Sequence, residues 1–222
     1  MHRELILEFF PQSNLDPIES YVFSDIHLRF ELGGEFANGT IERVNNSTNR
    51  ISELFERLFL PTDDVIVLIK KFAYDGAREF NEPTRGYFEE QFSGVDLEAI
   101  KSEIKEEIES GDFYNIESDI TEFSTTTIFH IQKIFETRVS NINYKNIFRG
   151  IANLEMGFDP SVSDVIYIVN KRSRVAIHMY DDRGCMVYAS DKEAIRFLYQ
   201  EYYNWLVKYH IKTFEDIFGG RA

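Results

Sequence analysis

The residues with the clearest chemical potential are five in a row, Tyr180-Asp181-Asp182-Arg183-Gly184. Adjacent carboxylates at a strand end could hold a divalent cation, with Arg183 steering an anionic group beside it. The same order is also what a tight hairpin asks for: Asp accepts backbone N–H groups and Gly tolerates unusual φ angles. A second constellation comes from strand alternation. His27, Arg29 and Glu31 share one face of an early strand, and Arg174, Ala176, His178 and Tyr180 share one face of a later one. If the two strands lie side by side, these faces make a His/Arg/Glu patch fit for anion binding or acid–base work. The plainer alternative is the solvated face of a sheet.

Beyond these, no motif names a reaction. The chain has no phosphate-cradling glycine loop, dinucleotide fingerprint, zinc-protease helix pair or nucleophile elbow. Its five histidines are scattered, with no pair at ligand spacing. No catalytic residue, metal site or cofactor is therefore expected. Cys185 is the single cysteine, which excludes an internal disulfide; it reads as a small packing residue.

Charge is the stronger signal. Asp and Glu total 38 against 24 Lys and Arg, a net charge of −14. The imbalance sits in residues 1–122, whereas residues 123–222 are slightly basic. Such a field repels nucleic acid and anionic membranes and attracts basic proteins. Glu103, Glu106 and Glu107 stand out as candidates for contacting such a partner, as do Tyr202 and Trp205 in a late aromatic run. No signal-peptide pattern and no long uncharged apolar run occur, so a soluble, cytoplasmic protein is expected.

The elements that must position these residues follow from periodicity. A short helix spans 2–10 up to Pro11, and residues 26–32 alternate as a strand stopped by Gly33-Gly34. Apolar spacing predicts a helix over 42–60, and Val65–Ile69 reads as a strand buried on both faces. Residues 74–94 read as an irregular excursion with room for one helical turn. Asp96 caps an expected helix along Leu97, Ile100, Ile104 and Ile108, ending at Gly111. Residues 120–139 read as strand, although Gln132–Arg138 could also pass for helix, and 144–156 read as helix. Residues 165–169, 174–180 and 185–189 form an antiparallel meander with hairpin-length loops. A long aromatic helix capped by Asp191 is expected to reach Tyr209, with a last turn at 214–218. With 43% hydrophobic residues there is ample core for one α+β domain over 1–222, an antiparallel sheet packed against several amphipathic helices.

Several segments resemble an uncharacterised bacterial family classed as domain of unknown function 3885. They are Leu28-Arg29-Phe30-Glu31-Leu32-Gly33, Arg57-Leu58-Phe59 leading to Asp63-Asp64, and Asn143-Tyr144 through Ile151-Ala152-Asn153. Val165 through Asn170, Tyr180 through Gly184, and Tyr199 through Asn204-Trp205 complete the set. The chain departs from the family pattern at Leu154–Phe158 and at Lys208-Tyr209-His210. The resemblance implies a bacterial α+β protein with no established activity and no catalytic residues to carry over.

Three functions compete on these residues. The first is a protein-binding or inhibitory module, including an immunity-type protein that neutralises a basic toxin or enzyme. The second is an enzyme acting on an anionic small molecule through Arg29, Glu31, His178, Asp181, Asp182 and Arg183. The third is an oligomerising role for the aromatic helix. The acidic surface and the missing catalytic motif place the first ahead.

Overall fold

A computed structural model describes residues 2–19, 21–74, 83–115 and 120–220. The elements, in order, are α1 (His2–Phe9), β1 (His27–Glu31), α2 (Ile41–Leu58), β2 (Asp64–Tyr74), α3 (Pro83–Glu89), β3 (Ser102–Asn115) and β4 (Ile120–Arg138). There follow α4 (Tyr144–Met156), β5 (Val165–Asn170), β6 (Val175–Asp181), β7 (Gly184–Ala189), α5 (Arg196–Glu201) and α6 (Ile211–Phe218). The seven strands form one sheet in the order β1-β7-β6-β5-β2-β4-β3, and every neighbouring pair is antiparallel. This is the expected α+β arrangement, with the C-terminal meander β5–β6–β7 inside the sheet.

Period-2 alternation sorts the central strands between two cores. Val65, Val67 and Ile69 of β2, with Ile168, Ile177 and Val187 from the meander, face α2, α4 and the C-terminal helices. Ile51, Phe55, Phe148, Leu198 and Phe214 answer them from the helical side. The intervening Ile66, Leu68, Tyr167, Val169 and Tyr188 face the N-terminal segment, which contributes Ile6, Phe10, Leu15, Tyr21 and Phe23. A strand covered on both faces must be apolar along its whole length, which is why Val65–Ile69 is an unbroken run. Each of these side chains contributes about 1.5–3 kcal/mol by leaving water.

Three expectations need correction. The helix expected between Leu97 and Ile108 is absent: Asp96 receives the N–H groups of Glu98 and Ala99 and caps a single turn, after which β3 begins. Ile104, Glu106 and Ile108 also alternate with Glu103, Lys105 and Glu107, so the sequence fits either period. The β-branched run of β4 supplies a pairing partner along all of β3, and that pairing overrides local propensity. The aromatic segment after Asp191 is not one helix. Asp191 receives the N–H of Glu193, but the chain breaks into α5, short 3-10 turns and α6. The break serves the sheet, because the Val207 N–H donates to the Arg29 carbonyl at 3.0 Å and Leu206 bridges Phe30. Finally, the strands carrying Arg29 and His178 are not neighbours; β7 lies between them. Of the expected irregular excursion, α3 is helical and residues 75–82 lie outside the described residues.

Candidate functional site

The Tyr180–Gly184 segment closes the β6–β7 hairpin, and the protein itself occupies both of its carboxylates. Asp181 accepts the Arg183 backbone N–H at 2.7 Å and pairs with the Arg183 guanidinium, whose Nε lies 2.7 Å away. Asp182, 1% exposed, pairs with Arg43 of α2, and its carbonyl accepts the Ser47 hydroxyl at 2.7 Å. The Arg183 carbonyl accepts the Leu32 N–H at 2.8 Å. A buried carboxylate needs a partner of opposite charge to offset its lost hydration. Here each has an arginine, and the turn fastens β1 and α2 to the meander.

Although β7 separates β1 from β6, Arg29 and Tyr180 do meet. Gly184 makes this possible: a Cβ there would run into the Tyr180 hydroxyl and the Phe30 carbonyl oxygen. With only hydrogen at that position, the phenol lies across the hairpin end. Arg29 Nε donates to the Tyr180 hydroxyl at 3.0 Å, and Nη1 donates to the Tyr209 hydroxyl at 2.6 Å. The guanidinium lies 5.1 Å and 5.9 Å from the two ring centres. Burial raises the Tyr180 phenol above its ordinary pKa, with Arg29 pulling the other way, so the phenol keeps its proton at neutral pH.

The other members of the expected patch do different work. His178 donates from Nδ1 to the Ile166 carbonyl at 2.9 Å and stacks on Tyr167 at 4.1 Å. Burial pushes its pKa down to about 4, leaving a neutral packing histidine. His27 donates from Nδ1 to the Asp25 carbonyl and packs between Tyr188 and Phe214. Burial lowers its pKa as well. Glu31 is exposed, and its carbonyl accepts from Arg50.

The partner-binding candidates divide between opposite ends of the sheet. Tyr202 and Trp205 brace α2: the Tyr202 hydroxyl donates to Glu53 at 2.9 Å, and the Arg50 guanidinium stacks 4.8 Å from the Trp205 ring. The glutamates lie on β3, the last strand, and divide again between its faces. Glu103 pairs with Arg3 of α1 at 3.1 Å, and Glu107 with His130 Nε2 at 2.8 Å. Glu106 lies on the other face with Ile104 and Ile108, which are 57% and 69% exposed. Phe123 on β4 is 71% exposed.

Two features escaped sequence reasoning. One is Tyr209, drawn to Arg29 across 180 residues with no local signal. The other is a polar knot on Asp63. This buried carboxylate takes Arg172 Nε at 2.7 Å and Nη2 at 2.8 Å, Asn170 Nδ2 at 2.7 Å and the Leu60 N–H at 2.9 Å. The Arg172 guanidinium, more than the other donors, holds its pKa well below the usual carboxylate range. Asn170 in turn accepts the N–H groups of Arg172 and Ser173, which shapes the β5–β6 turn. An Asn at the head of a hairpin loop was the available signal for the turn; its tie to Asp63 was not visible.

Among known proteins, a family model described as "Domain of unknown function (DUF3885)" matches residues 3–210. A stretch of 44 residues is 41% identical to the uncharacterized protein YnaE of Bacillus subtilis (strain 168). That stretch makes up 20% of this chain and only 21% of YnaE. No solved structure matches.

Proposed function

The chain belongs to the DUF3885 family, and on that footing we propose that it is a protein-binding module that accepts an extended, basic segment of another protein along β3. The observation that carries this reading is the unequal treatment of the two sheet edges. β1 is covered by Leu206 and Val207, whereas β3 ends the sheet with no further strand beside it among the described residues. An edge strand presents alternate unpaired N–H and C=O groups, to which an incoming strand can bond.

The side chains define the partner. Ile104 and Ile108 offer exposed apolar contact, and Glu106 and Glu109 set the sign of charge that fits. A second copy would lay one acidic strand against another, which cross-strand repulsion opposes. A basic segment meets attraction instead, and its association is accelerated by the field of the acidic N-terminal half. An immunity-type inhibitor of a basic toxin or enzyme is the finer form of this reading. The enzyme alternative loses Asp181, Asp182, Arg183 and His178 to turn and packing bonds, which leaves the Arg29 phenol pair as its remaining support.

The test is a pull-down from a bacterial extract with the whole chain, washed at low and then moderate salt, beside the double variant E106K/E109K. A basic protein held at low salt, released as screening rises and missed by the variant supports strand addition at β3. A variant that retains the same proteins as the parent overturns it.

A further inference from the structure

Arg29 has no carboxylate partner among the described residues, and neither do the partly buried Arg50 and Arg149, but Arg29 is the one of the three that donates to two phenol oxygens. Arg43, Arg172, Arg183 and Arg196 each hold a carboxylate. Arg29 is half-buried and donates to two phenol oxygens, and no carboxylate of the described residues lies within ion-pair distance of it. A phenol is a poor substitute for a counter-charge, since it supplies a lone pair but no net negative charge. In a chain with 38 acidic residues, a cation left in this state marks a place where an external anion gains more than it would elsewhere.

We propose that Arg29, Tyr180 and Tyr209 form a receptor for a small phosphate-type oxyanion. Each phenol oxygen already accepts a hydrogen bond from Arg29, so each O–H remains to be donated. Arg29 Nη2 has no partner in the protein among the described residues. Two hydroxyl donors and the free nitrogen of the fork are therefore available around one charge. A tetrahedral oxyanion offers acceptors in three dimensions to all of them at once, whereas the two coplanar oxygens of a carboxylate suit fewer of them. The Gly184 gap holds Tyr180 against Arg29, while Tyr209 is 74% exposed and leaves its side of the guanidinium open to solvent. The site lies at the β1 end of the sheet, away from β3, and stands independently of the strand-addition reading.

Calorimetric titration of the full chain with inorganic phosphate, and with acetate, tests this. One saturable phosphate site, weakened about tenfold in Y209F and lost in R29Q, is the expected result. Tyr209 is exposed, so Y209F keeps the fold and removes only a hydroxyl; its melting temperature checks this. Absence of saturable phosphate binding, binding unchanged in both variants, or acetate bound as tightly as phosphate would each overturn the assignment.

Discussion

Single atoms at Gly184 and His178 set measurable properties of this protein. Replacing Gly184 with Ala forces a methyl group against the Tyr180 hydroxyl and the Phe30 carbonyl, where backbone cannot give way. Such overpacking is expected to cost about 1–3 kcal/mol, read as a lower denaturant midpoint with an unchanged slope. His178 predicts a pH dependence. Its pKa in the fold is about 4, below the 6.5 of the unfolded chain, so the unfolded state binds the extra proton first. Stability is therefore full above about pH 6.5 and falls as pH drops towards 4, by roughly 2–3 kcal/mol over the window. In H178Q that limb of the stability–pH curve is expected to flatten; an identical slope in parent and variant would show that another group is responsible.

The elements show which information is local. The meander and α4 were legible because their determinants lie within a few residues: apolar runs broken by Asp/Asn/Gly loops, and a helical stripe ended at Gly157 in a left-handed conformation. β3 was not, because Ile104 and Ile108 satisfy two periodicities and the deciding factor is the partner strand. The break after α5 was not either, because its cause is the edge of β1, which Leu206 and Val207 cover. The segments that carry the family resemblance prove to be joints: Asp63 and Asn170 tie the entry of β2 to the β5–β6 turn, and Asp182 ties the next turn to α2. Asp63→Asn leaves Arg172 half-exposed without its counter-charge and is expected to cost about 1–3 kcal/mol in chemical denaturation. Because its carboxyl is depressed in the fold, the parent keeps this stabilisation above about pH 4 and loses it as pH falls further, a limb that D63N lacks.

For the sheet as a whole, composition shows an acidic excess but not where on the fold it is exposed. The charge count could not say that Glu103 and Glu107 are turned toward the N-terminal segment while Glu106 faces outward. Nor could it say that Tyr202 and Trp205 sit at the opposite end, because both facts depend on strand order. The Arg3–Glu103 pair places the beginning of α1 beside the open strand. That neighbourhood has a practical use. Cys185 is wholly buried, and burial raises its thiol pKa, so it reacts slowly with labelling reagents. A cysteine introduced near Arg3 would then take a fluorophore selectively, and its emission would report whether anything has docked along β3. Affinity handles belong at the other terminus: α6 packs by way of Phe214 against His27 of β1, so a bulky fusion there leaves the acidic edge unobstructed.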